Sequence, residues 1–350
     1  MLTVEGGIMR YKLLGRSGLR VSELCLGTMT FGNQGWGTEE AEAARLYSHY
    51  RDQGGNFLDT ANEIYAGGAS EEMLGRLLQG HRDQMVVTTK YALALPGGQD
   101  INAGGNHRKS LHRSVEASLR RLGTDYIDLL WVHAWDALTP VEEMLRALDD
   151  LVRQGKVLYL GISNTPAWVV AKCNTLARAN DWTPFIAMQA EYNLLERSIE
   201  HELLPMCQSE GLSLAAWSPL ASGILSGKYS AEVAGGESKR LDVAAMKSLD
   251  ERGLVMAEAV GKIARQIGRT PAQVALNWLR AQPDVIPLLG VRTHAQLVDN
   301  MGCLEFDLDS ACLAELGASG KPVAHYPYDY LNKYQNLINA GFHSQIDADR

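Results

Sequence analysis

Eight times along this chain a short apolar run ending in polar residues is followed by a longer segment with helical periodicity, and no other feature restricts the available folds as much. The runs are Leu24–Gly27, Asn56–Leu58, Met85–Thr89, Tyr126–Val132, Val157–Gly161, Phe185–Gln189, Leu212–Trp217 and Val285–Leu289. The intervening segments predict helices at Glu39 to about Gln53, from Glu71, at Arg108–Leu122 and Val141–Gln154, from Pro166, at Ser198–Ser209, and at about Leu254–Ile267 and Pro271–Ala281. An α/β architecture, a (β/α)8 barrel, closes eight such units without leaving a sheet edge. A doubly wound open sheet is the alternative, but no GxGxxG follows any of the runs. At the N-terminus, Tyr11–Leu14 and Leu19–Val21 flank Gly15-Arg16-Ser17-Gly18 and read as a β-hairpin at the bottom of the barrel. The expected organisation is a barrel domain over residues 9–320, with extra C-terminal helices, and a tail over 321–350.

Local signals mark the helix ends. Ser70 reads as an N-cap before Glu71-Glu72, which suit the positive end of the helix dipole. Thr139-Pro140-Val141-Glu142 has the form of a capping box with proline at the first helical position. Gly123 and Gly155 stand where C-terminal caps belong. The seventh run is followed by a long polar excursion, Ser222–Asp250, before helical periodicity resumes.

Composition narrows the function classes. With 46% hydrophobic and 21% charged residues the chain can bury a full core, and no apolar run approaches the ~18 residues of a membrane span. A net charge of −8 leaves no broad footprint for nucleic acid or anionic lipid, and the basic run HRKSLHR reads as a solvated helix face. The five cysteines are odd in number, scattered and never in a CxxC pair, so a reducing cytoplasm is expected and neither a disulfide framework nor a metal site. The first residues lack the apolar core of a signal peptide, and Met9 serves equally well as a start.

In a barrel the residues just beyond each strand share one face, where active sites are built. Here these are Thr28-Met29, Asp59 with Tyr65, Lys90, His133, Ser163-Asn164, Gln189, Trp217-Ser218, and Gly290 with Arg292. Lys90 closes a buried run and needs a carboxylate to offset desolvation; Asp59 lies one strand away. A free tyrosine, with a pKa of about 10, is a poor proton donor near neutrality, but an adjacent cation stabilises the phenolate. Asp59, Tyr65, Lys90 and His133 therefore combine into a tuned proton donor.

The motifs GRSGLRVSELCLGTMTFG, DTANEIYAGGASE, TTKY, LGTDYIDLLWVH, GISN, MQAEYNLLER, AWSPLASGILSGKY and LLGVRTHAQLVDN follow one another in the order of the aldo-keto reductase superfamily, which the chain resembles over nearly its whole length. The resemblance implies NADP(H) extended across the C-terminal face of the barrel, with Asp59, Tyr65, Lys90 and His133 matching the catalytic tetrad. It further implies a nicotinamide stacked on Trp217, near Thr28 and Met29, with its carboxamide held by Ser163, Asn164 and Gln189. Ser218, Leu220, Gly223 and Lys228 would line the pyrophosphate, and Gly290, Arg292, Gln296 and Asn300 the adenosine end. Tryptophan at the stacking position is similar to the branch containing potassium-channel β subunits and bacterial aryl-alcohol dehydrogenase-like enzymes.

One departure stands out: the family spaces its Asp and Tyr as DTAxxY, whereas DTANEIY carries one more residue, so the loop has to bulge at Glu63 or Ile64 to keep Tyr65 in place. The implied function is a cytoplasmic NADPH-dependent reductase of aldehydes or ketones, of the alcohol dehydrogenase class, acting on a small carbonyl substrate without metal, nucleic acid or membrane. The alternative is a cofactor-sensing regulatory subunit like the channel β subunits. The loop Ala92–Asn106 and the aromatic tail Val323–Arg350 are the expected specificity segments, the tail folding over the site or packing on a second subunit of a homo-oligomer.

Overall fold

In a computed structural model, which describes residues 9–98, 100–228 and 251–346, the eight apolar runs form one closed parallel barrel. Its strands are β3 (Cys25–Gly27), β4 (Phe57–Asp59), β5 (Val86–Tyr91), β6 (Ile127–Val132), β7 (Val157–Ser163), β8 (Phe185–Glu191), β9 (Ser213–Trp217) and β10 (Val285–Gly290), and β10 pairs with β3 to close the ring. Several strands run one or two residues further than their apolar letters. Asp59, Lys90, Tyr91 and Ser163 are still in the ladder, because backbone pairing continues where the side chains turn polar.

The helices are α1 (Glu40–Asp52), α2 (Ala69–Leu77), α3 (Arg108–Leu122), α4 (Val141–Arg153), α5 (Ala167–Ala179), α6 (Leu203–Glu210), α7 (Glu251–Ile267), α8 (Pro271–Arg280), α9 (His294–Met301), α10 (Ser310–Ser319) and α11 (Tyr328–Ile338). Glycines in the left-handed region follow α3 and α4 at Gly123 and Gly155, as expected. Two N-terminal signals were misplaced. The N-cap of α2 is Gly68, so Ser70 lies inside the first turn and its hydroxyl bonds to Thr28 and Thr60 instead. The N-cap of α4 is Pro140 without a side-chain cap; the Thr139 hydroxyl donates to Asp136 Oδ2 at 2.6 Å. A complete capping box does occur at Thr270 and Gln273, opening α8. The expected helix Ser198–Ser209 is divided into a 3-10 turn at Ser198–Glu200 and α6. Most of the polar excursion, residues 229–250, lies outside the described residues.

The hairpin β1 (Tyr11–Leu13) and β2 (Arg20–Ser22) stops the N-terminal mouth of the barrel. Leu14 and Val21 pack with Phe57, Val86, Leu129, Trp131 and Ile286, and each fully buried side chain of such a plug contributes about 1.5 to 3 kcal/mol. Gly15 permits the approach: its φ is +55°, and a Cβ there would stand 2.0 Å from the Ile186 carbonyl oxygen. With one mouth closed by apolar packing, the polar strand ends gather at the other. Among the described residues no helix is long and apolar enough to cross a membrane.

Candidate active site

The C-terminal mouth opens into a cleft of about 810 Å³, and at its floor lies the residue pair that sequence reasoning put together first. Lys90 Nζ donates to Asp59 Oδ2 at 2.5 Å and to the Thr60 carbonyl at 2.7 Å. Strand alternation makes this possible: Thr88 and Lys90 both point into the barrel, and the Thr88 hydroxyl reaches Asp59 Oδ1 at 2.8 Å. Gln189 Nε2 donates to the same oxygen at 3.0 Å from across the barrel. Asp59 and Lys90 are only 2% and 1% exposed, so these contacts offset a desolvation cost of several kcal/mol per ion. Burial pulls the Lys90 ammonium down, but Asp59 and Tyr65 together outweigh it and hold the group above the ordinary lysine value.

Tyr65 stands over this pair, its ring centroid 5.0 Å from Lys90 Nζ, and it lines the cleft. The additional residue before it is absorbed in a turn. Asn62 N–H reaches back to the Lys90 carbonyl, the Tyr65 N–H closes onto the Asn62 carbonyl at 3.1 Å, and the Asn62 side chain accepts from Ile64 N–H. Glu63 and Ile64 occupy the middle of that turn, leaving Tyr65 facing His133 edge-on with ring centroids 6.3 Å apart. Burial, and then the Lys90 charge, push His133 down to about 3. The imidazole is thus neutral at physiological pH and has one N–H to give. A phenol beside a buried cation, next to a neutral imidazole, can deliver a proton to an oxygen that the imidazole orients.

Along the rest of the cleft run Met29, Asn164, Gln189, Trp217, Ser218, Leu220, Gly223, Lys228, Gly290, Arg292, Gln296 and Asn300. Ser163 is fully buried below the lining, and its hydroxyl has no hydrogen-bond partner. Such a donor set fits an extended ligand with an amide at one end, since a buried hydroxyl without a partner costs on the order of 1 to 3 kcal/mol until something engages it. Asn164, Ser218 and Ser222 adopt φ of +45°, +53° and +55°, conformations that cluster where backbone is bent to meet a ligand. Thr28 departs from expectation: it is fully buried outside the lining, its hydroxyl bonded to the Asp59 carbonyl and Ser70.

At the far end α9 begins where expected, with Thr293 Oγ1 accepting from Gln296 N–H. The Gln296 side chain, however, accepts from Arg292 N–H at 2.9 Å, so that backbone donor is not open to a ligand. The Arg292 guanidinium enters no ion pair or side-chain hydrogen bond with the described residues.

Sequence reading missed Asn33, Trp36, Ile64, Ser222, Ser226, Ala272 and Asp299, all of which line the cleft. Trp36, an aromatic residue in the glycine-punctuated loop Gly32–Gly37, carried the one signal that pointed to it. Of the described residues of the expected specificity loop, only Leu93 reaches the cleft. No described tail residue does; Tyr328 instead donates to Glu202 at 3.0 Å and stacks on His201.

Comparison with known proteins agrees with this architecture. A norsolorinic acid reductase from Aspergillus flavus is 40% identical over 91% of this chain and 83% of its own length. One from Emericella nidulans is 44% identical over 86% and 78%. An aryl-alcohol dehydrogenase [NADP(+)] from Phanerodontia chrysosporium is 39% identical over 83% of this chain and 80% of its own. The family model for aldo/keto reductases matches residues 23–320, from the strand that opens the barrel to the close of α10, and the chain belongs to the aldo/keto reductase family.

Proposed function

We propose that the protein is an NADPH-dependent reductase of aldehydes or ketones in which Tyr65 is the proton donor. The observation that carries this reading is the Lys90–Asp59 pair at 2.5 Å under the Tyr65 ring, with neutral His133 beside it on the cleft. The family uses nicotinamide cofactors, and one of the relatives above bears NADP(+) in its name. When bound, the cofactor supplies the hydride.

What the chain supplies is alignment and a proton. His133 holds the carbonyl oxygen, and Tyr65 gives it a proton. The Lys90 ammonium stabilises the phenolate left behind, while Asp59 keeps that ammonium charged and in place. Trp217 offers a flat face, and Ser163, Asn164 and Gln189 offer an amide-binding edge. The reading is tested by NADPH consumption with a set of aldehydes and ketones: carbonyl-dependent oxidation with stoichiometric alcohol supports it, and carbonyl-independent oxidation alone opposes it.

We assign cofactor choice to Arg292. Arg292 lines the cleft beside the start of α9, and its guanidinium has a planar donor fork suited to phosphate. Arg292→Ala is expected to weaken NADPH by roughly 1.5 to 3 kcal/mol, the range for a hydrogen bond to a charged group, while barely changing NADH. Equal weakening of both in a fluorescence titration would move Arg292 to the pyrophosphate or to general folding.

A further inference from the structure

The proton donor and its cation are carried by different segments: Tyr65 by the loop leading into α2, Lys90 by β5. Something has to fix one against the other. Behind the barrel wall lies a carboxylate that the proposed chemistry does not use.

Glu71 lies in the first turn of α2 and is fully buried. One of its oxygens accepts from the Thr89 hydroxyl at 2.6 Å, the other from Arg121 Nε at 2.6 Å. Thr89 immediately precedes Lys90, and by strand alternation its side chain leaves the opposite face of β5. The carboxylate therefore grips the outer face of the strand whose inner face carries the cation. Its other link returns to Tyr65. The backbone turn from Tyr65 into α2 is closed by Gly68 N–H on the Tyr65 carbonyl at 3.0 Å. Gly68 sits at φ +99°, and a Cβ there would meet Arg121 Cδ at 2.7 Å, so the arginine held by Glu71 packs directly on that turn.

Ser70, the neighbouring residue, adds a parallel tie. Its hydroxyl bonds to the Thr60 hydroxyl at 2.8 Å and donates to the Thr28 carbonyl at 2.8 Å, and the Thr60 carbonyl is itself an acceptor for Lys90. The first turn of α2 is thus fastened to the strand on one side and to an acceptor of the ammonium on the other.

We propose that Glu71, through Thr89 and Arg121, is a positioning residue that sets the register of the Tyr65 phenol against the Lys90 ammonium. This rests on the reading of Tyr65 as proton donor. A dipole-compensating role alone would be met by an exposed acid such as Glu72, one residue on, and would not require a carboxylate with no exposed surface and a serviced contact on each oxygen. Burial drives the Glu71 carboxyl up, against the pull of Arg121, Thr89 and Ser118.

The test uses Glu71→Gln, which keeps the shape, and Thr89→Val, which deletes only the donor and stands in should the first variant fail to fold. Thr89→Ser is the rescue. Each is read by kcat and KM for carbonyl reduction, by NADPH affinity, and by the titration of Tyr65 in ¹³C-tyrosine-labelled protein, its signal assigned by loss in Tyr65→Phe. Expected are a fall in kcat on the order of 10²-fold, the scale for a group displaced by about 1 Å, with NADPH affinity retained. The Tyr65 titration should move to higher pH, and Thr89→Ser should restore both. A Tyr65 titration and a kcat per folded molecule that match wild type overturn the proposal. Should the wild type reduce no carbonyl, the functional reading fails, while the Tyr65 titration still decides the role of Glu71.

Discussion

Replacing Tyr65 with phenylalanine is expected to lower carbonyl reduction by ~10² to 10⁴-fold, the range for loss of a general acid, while leaving NADPH affinity nearly unchanged. The ring stays, and with it the packing against His133 and the contact with Lys90 at 5.0 Å; only the hydroxyl is lost. The size of the effect depends on the turn at Asn62–Tyr65 having kept the phenol in the cleft despite the extra residue. Turnover within a few-fold of wild type would remove Tyr65 from the acid role. In that case the neutral imidazole of His133 would be the next group to test.

Lys90→Met is expected to have two effects at once. Turnover falls by roughly 10²-fold or more, because the phenolate loses its cation. Stability falls by about 3 to 5 kcal/mol, the cost of breaking a buried ion pair by removing one partner. Asp59 would keep the Thr88 and Gln189 donors on Oδ1, but Oδ2 would be left without a partner in a place only 2% exposed. The two effects separate in practice, since a folded fraction read by denaturation and a rate per folded molecule are independent measurements. An unshifted denaturation midpoint would show that Asp59 is solvated or finds another donor.

The barrel was legible because most of the apolar runs are strands buried on both faces, and a continuous run of that kind between helical periods has few other places to go. The same pattern singled out Asp59, Lys90 and His133, each the residue immediately after one of the runs. Ser70 and Thr139 show where this kind of reading stops. Both have the side chain of an N-cap, but the Ser70 hydroxyl is taken by Thr28 and Thr60 from other segments, and the Thr139 hydroxyl by Asp136. Tertiary partners won over local ones.

Glu71 does lie in the first turn of α2, as expected, but its inward contacts were not legible, for a related reason. Next to Glu72 in the sequence it looks like a second acid at a helix N-terminus, and nothing local distinguishes the residue that turns inward to Thr89 and Arg121 from the one that faces solvent. Trp36 and Ile64 escaped because they lie in the loops above the strands, where neither period applies. Their place in the cleft is set by how those loops fold back over the mouth.

In the proposed function the cleft brings a nicotinamide hydride and the Tyr65 proton to the two ends of one carbonyl. This is tested most directly with NADPH deuterated on the transferable face of the nicotinamide, an aromatic aldehyde such as benzaldehyde, and mass spectrometry of the alcohol. One deuterium per molecule of alcohol, bound to the former carbonyl carbon, with formation slowed ~10²-fold or more in Tyr65→Phe, is the predicted result. Alcohol formed without deuterium, or at the same rate in the variant, would contradict it.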